Sequence, residues 1–176
     1  MKKSAGILIY RKKNGNIQIF LVHPGGPFWK NKDLNSWSIP KGEIENNEDL
    51  KSTAIREFEE ETGIVLNDED KEKIFYLGEV KSQNKVVYVF ALEKDLGDKI
   101  EIKSNLVKTN FGEFPEVDKG EYFDLETAKQ KLLNYQKTLV EMIKIKENLW
   151  ILTNNKTIEE CLDTPFEWQP YWEYNI

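Results

Sequence analysis

The sequence predicts an α/β fold in which a mixed β-sheet lies between helices. Short runs rich in Ile, Val and Leu occur in pairs joined by turn residues, the pattern of β-hairpins. Two stretches carry apolar residues at helical spacing, one after the first pair and one near residues 125–146. Helices placed before and after runs of strands cover both faces of one sheet.

Residues 4–11 (SAGILIYR) and 17–23 (IQIFLVH) form the first pair, and Asn14-Gly15 between them is a strong two-residue turn signal. A Gly/Pro/aromatic loop, residues 24–35, follows. Residues 37–39 read as a strand fragment before Pro40-Lys41-Gly42. Asn46 or Asn47 is the expected helix cap, with Glu48 and Asp49 in the first turn. Leu50, Ala54, Ile55 and Phe58 make the buried stripe, and Gly63 ends the helix. Residues 74–81 and 86–92 form a second hairpin around Ser-Gln-Asn, and residues 99–108 suggest a further strand. Residues 125–146 read as one long helix through Leu132, Leu133, Leu139, Val140 and Ile143. The expected division is a domain over residues 1–147 and an aromatic-rich extension, 148–176, packed on it. That extension holds Trp150, Phe166, Trp168, Tyr171, Trp172 and Tyr174.

Composition narrows the function classes. The chain has 176 residues, enough for one domain with a real core. Its net charge of −6 argues against a nucleic-acid-coating role, since such proteins are usually basic. One cysteine, Cys161, excludes an intrachain disulfide framework and any multi-cysteine metal site. The run AGILIY is too short for a signal peptide's apolar region, and no run approaches the ~20 apolar residues of a membrane span. A cytoplasmic protein, monomer or homodimer, is the expectation.

The chemistry concentrates in residues 42–64, GEIENNEDLKSTAIREFEEETGI. Glu57, Glu60 and Glu61 stand at i, i+3 and i+4, so on a helix they share one face and repel. A bound divalent cation removes that penalty. Carboxylates with no Cys or His beside them favour a hard ion, Mg²⁺ with Mn²⁺ as substitute.

Gly42, Glu48, Arg56, Glu57, Phe58, Glu60, Glu61, Gly63 and Ile64 fill every specified position of the Nudix box, and the chain resembles that family. The resemblance implies an α/β/α sandwich. It also implies a metal-dependent pyrophosphohydrolase that cleaves a nucleoside diphosphate linked to another group, by water attack on phosphorus. By resemblance, Glu57, Glu60 and Glu61 are metal ligands, Glu48 an outer one, and the Gly42 carbonyl completes the shell. Arg56 orients a glutamate by ion pairing. The general base is a box glutamate, Glu57, or a carboxylate of the segment FPEVDKGEYFDLETA. There Glu116, as ligand or base, competes with Glu113, Asp118 and Glu121.

The lead-in WSIPKG resembles diadenosine polyphosphate hydrolases, which makes a dinucleoside polyphosphate the expected substrate. Nucleoside triphosphates and nucleotide sugars are the alternatives, and a non-catalytic nucleotide-sensing module is a third reading. Lys41 is a candidate phosphate contact. In the loop HPGGPFWKNKD, Phe28 and Trp29 are candidates to stack on a base, and Lys30 and Lys32 to meet phosphates. His23, the one histidine, reads as a structural residue at the end of a strand.

Overall fold

The computed structural model describes residues 1–45 and 47–154. The chain divides into a compact unit Met1–Ile143 and a second unit, Lys144–Ile176. In chain order the elements are β1 (Lys2–Lys13), β2 (Asn16–Pro24), β3 (Lys41–Glu43), α1 (Leu50–Thr62), α2 (Asp68–Lys73), β4 (Phe75–Ser82), β5 (Lys85–Glu93), β6 (Leu106–Thr109), β7 (Gly112–Pro115), β8 (Val117–Asp124), α3 (Leu125–Lys131) and α4 (Thr138–Asn154).

The main sheet has six strands, ordered β4-β5-β1-β2-β8, with β3 also paired to β1. It is mixed: β1 runs parallel to β5 and antiparallel to β2 and β3. Strand β1 explains why its sequence is an unbroken apolar run. Leu8 and Tyr10 enter the core shared with α3 and the start of α4, while Ala5, Ile7 and Ile9 enter the core beneath α1. A strand covered on both faces has no polar side to show. In the β1–β2 turn Asn14 and Gly15 have φ of 53° and 78°, the positive pair that a type I′ hairpin turn requires. Phe58 and Ala54 fix α1 against the sheet, and both are fully buried.

Five expectations are corrected. The cap of α1 is Asp49, whose carboxylate accepts the N–H groups of Lys51 and Ser52; Asn47 has φ of 61° and precedes it. Asn46 lies outside the described residues. Residues 37–39 make isolated bridges only, from Trp37 to Leu132 and from Ser38 to Val22. The Ile39 N–H is taken by the Gln136 side chain at 3.0 Å, and Pro40 has no N–H to give.

Residues 99–105 are not a strand, because their backbone serves the end of α1. The Lys103 and Asn105 N–H groups donate to the carbonyls of Thr62 and Glu60, each at 3.0 Å, filling acceptors a helix end leaves open. The segment before the last helices, for which the sequence predicts no strand, contains edge strand β8 and most of the separate hairpin β6–β7. The long helix over residues 125–146 is broken after α3, where Leu133 N–H turns to the Trp37 carbonyl at 2.9 Å. Helix α2, with a full capping box from Asn67 and Asp70, was not anticipated. The first unit ends at Ile143, a few residues before the expected boundary, and the aromatics from Phe166 to Tyr174 and Cys161 lie outside the described residues.

Asp49→Ala is expected to lower stability by about 1 kcal/mol through loss of the cap. Asn47→Gly, at a left-handed position, is expected to leave stability unchanged or raise it. Urea midpoints of the two variants against the wild type check both.

Candidate active site

The site forms where β3, the loop before α1 and the C-terminal half of α1 meet. Gly42 is its closest contact. A Cβ there would lie 1.9 Å from the Glu57 carboxyl carbon, so only glycine lets the β3 backbone touch that carboxylate.

Arg56 organises the carboxylates. Its guanidinium donates to Glu48 at 3.1 and 3.2 Å, to Glu57 at 2.7 Å, to Glu60 at 3.2 Å and to the Glu43 carbonyl at 3.2 Å. Thr53 adds a hydroxyl donor to Glu48 at 2.9 Å. Burial works against the Arg56 charge, but Glu48 and Glu57 outweigh it and hold the group above the ordinary arginine range. The hydrogen bond from Arg56 keeps Glu48 below the usual carboxylate range.

Glu57 and Glu61 both shift the opposite way from Glu48. Both are buried, whereas Glu60 is exposed. Burial raises Glu57 despite Arg56, with Glu60 and Glu116 adding repulsion. Burial pushes Glu61 up to about 8, with Lys41 opposing and Glu116 and Glu57 reinforcing. The Lys41 N–H donates to Glu61 at 3.2 Å.

Glu116 is therefore brought to the box from a distant part of the chain. Asn105 ties it there, donating its side-chain amide to the Glu116 carboxylate at 2.9 Å and its N–H to the Glu60 carbonyl. The competing carboxylates point elsewhere. Glu113 faces Lys108 on the β6–β7 hairpin, Asp118 faces His23, and Glu121 lines a pocket beneath β8 with Asp98 and Tyr122.

Among the described residues, no three His, Cys, Asp or Glu side chains are already closed around a common point as in a filled metal site. Three box glutamates instead lean on Arg56. The donor chemistry nevertheless fits a hard divalent cation. All candidate donors are oxygens, Gly42 is in contact with Glu57, and Glu57, Glu61 and Glu116 repel one another.

Lys85, at the start of β5, was missed. It shares the phase of Val87 and Val89, which face the core beside α3 and α4, and that phase is legible in KVVYVFAL. Burial lowers its pKa, Lys41 lowers it further, and Glu43 and Glu61 oppose. Lys41 thus stands beside Glu61, Lys85 feels the charges of both, and neither ammonium has an ion-pair partner among the described residues.

A NUDIX domain model matches residues 1–143, the whole of the first compact unit. The chain belongs to the Nudix family. It is 30% identical over 105 residues to the asymmetrical bis(5'-nucleosyl)-tetraphosphatase of Caenorhabditis elegans, covering 57% of this chain and 70% of that one. In fold it resembles a C. elegans Ap4A hydrolase binary complex, with TM-score 0.59 and 23% identity, over 84% of this chain and 98% of that one. The NUDIX domain of Shewanella oneidensis NrtR, complexed with ADP ribose, gives TM-score 0.57 at 16% identity, over 83% and 88% of the two chains.

The aromatic loop of this Nudix domain sits beside Glu116. Gly25 N–H donates to the Glu116 carbonyl at 2.9 Å, and a Cβ at Gly25 would lie 2.0 Å from the Pro115 carbonyl oxygen. Phe28 is exposed and meets Trp29 edge-on at 5.0 Å, with the Lys32 ammonium 3.2 Å above the Phe28 ring. Lys30 is exposed and makes no ion pair among the described residues.

The raised pKa of Glu61 has a measurable consequence. With a folded value of about 8 against ~4.3 unfolded, the native state holds the extra proton, so that contribution is full below ~4.3 and is lost as pH rises through about 8. In chelator, the Tm of wild type is expected to fall across that window relative to Glu61→Gln, whereas parallel pH profiles would contradict the assignment.

Proposed function

We propose that this Nudix hydrolase of phosphoric anhydride bonds cleaves a nucleoside diphosphate linked to another moiety, with a dinucleoside polyphosphate as substrate and Mg²⁺ as metal. The observation that carries the reading is the gathering of Glu57, Glu61 and Glu116 with Lys41 beside them and Lys85 within their electrostatic reach. An anionic centre with two ammoniums nearby, neither ion-paired among the described residues, suits a polyphosphate chain bound through metal and lysine together. The C. elegans tetraphosphatase relative supports the substrate.

Glu57, Glu60 and Glu61, with Glu48 further out and the Gly42 carbonyl, are the proposed metal-holding groups. Glu116 is a ligand or the base. When bound, the divalent ion supplies charge neutralisation at the phosphoryl oxygens and lowers the pKa of the attacking water. The side chains do the rest. Arg56 fixes the orientation of Glu48 and Glu57 through its forked hydrogen bonds. Lys41 and Lys85 grip phosphate oxygens and stabilise the charge that develops on them. Glu116, which Arg56 does not touch, takes the water proton; Glu57 is the other candidate. Phe28, Trp29 and Lys32 meet a nucleobase and its flanking phosphate.

Glu57→Gln and Glu60→Gln are expected to cut kcat/KM by at least about 100-fold with the fold intact, and near-wild-type activity in either would remove that residue from the metal site. Lys85→Met is expected to raise KM about tenfold, in line with a charge-assisted hydrogen bond of roughly 1.5 kcal/mol. The substrate is tested by product analysis with Mg²⁺ on dinucleoside tetra- and hexaphosphates, triphosphates, ADP-ribose and nucleotide sugars. ATP released from a dinucleoside tetraphosphate supports the reading. Turnover of another member alone discards that substrate and keeps the mechanism, and no turnover of any member favours nucleotide sensing.

A further inference from the structure

His23 is the only histidine in the chain, and it is buried at the end of β2 with its ring edge-on to Trp37 at 5.1 Å. Its Nδ1 lies 2.8 Å from the Asp118 carboxylate on β8, and its Nε2 lies 2.7 Å from the backbone carbonyl of Lys32. A carboxylate and a carbonyl only accept. Each ring nitrogen is thus held against an acceptor, one on β8 and one in the loop. The same Lys32 carries its ammonium over Phe28 and 4.9 Å from the Trp29 ring centre. The other end of the loop is tied by Gly25 to the carbonyl of Glu116. Residues 25–32 are thus held at both ends by residues 116–118, the segment that delivers Glu116 to the box.

We infer that His23 is a positioning residue. Through contacts at both ring nitrogens, it fixes the aromatic loop and the Glu116 segment in one frame, so the base-stacking surface is set before the nucleotide arrives. This rests on the reading that Phe28, Trp29 and Lys32 meet substrate. A preformed surface reduces the ordering cost of binding, so the clamp acts on KM more than on kcat. A histidine serving only to fill the core has no need of a second acceptor contributed by the loop.

The test has two parts. Hydrogen exchange compares His23→Asn, which keeps a donor for Asp118, with His23→Gln, which reaches toward Lys32. Amides of residues 25–32 are expected to exchange faster in His23→Asn while those of α1 do not change. KM for diadenosine tetraphosphate with Mg²⁺ is expected to rise about tenfold in His23→Asn with kcat within about threefold, and less in His23→Gln. Trp29→Ala separates the two claims. If it raises KM and neither His23 variant does, the positioning role is wrong. If Trp29→Ala leaves KM unchanged, the substrate reading of the loop fails instead, and the clamp stands or falls on the exchange results.

Discussion

One guanidinium holds the site together. Arg56 reaches Glu48, Glu57 and Glu60 at once, and a single positive charge cannot neutralise three carboxylates. Glu61 and Glu116 lie outside its grasp, and Glu61 is buried. Burying unpaired charge is expensive unless a partner arrives or a proton stays on. The surrounding architecture serves this crowding. Glycine at position 42 admits Glu57 to the β3 backbone, Thr53 and Arg56 anchor Glu48, and Asn105 draws Glu116 to the end of α1. The protein holds an excess of negative charge in a fixed frame, which suits a small, hard, doubly charged ion followed by an anionic substrate.

The cationic side of the site follows a complementary logic. Lys41 opens β3 opposite Gly6 of β1, where a Cβ would lie 2.5 Å from the Pro40 carbonyl oxygen. Lys85 comes from β5, the parallel neighbour of β1. Two ammoniums side by side repel, as crowded carboxylates do. A polyphosphate lying between metal and lysines would relieve both repulsions together.

Much of this was legible in the chain. The spacing of Glu57, Glu60 and Glu61 revealed the helix face, and Asn14-Gly15 and Gly63 marked the turn and the helix end because each needs a backbone conformation that few residues accept. Glu116 was named among several neighbouring carboxylates, and the fold brings it alone of these to the box. What stayed hidden depends on tertiary pairing. Strand β8 is an edge strand with charged residues on its open side, so its alternation is blurred. The stretch before β6 is shaped by the unfilled carbonyls of α1 rather than by its own side chains. The break at Leu132 and Leu133 is invisible to helical periodicity, because the carbonyl that takes the Leu133 N–H belongs to Trp37. Lys85 looked like any exposed lysine until its strand was placed beside Lys41.

The carboxylates gathered around Arg56 and Glu61 are proposed as a binding site for a divalent cation. Mn²⁺ titration followed by electron paramagnetic resonance, on the wild type and on Glu57→Gln, tests it most directly without relying on any substrate. Saturable binding by the wild type that the variant weakens at least about tenfold is the predicted result. Equal binding by both proteins, or none by either, would contradict it.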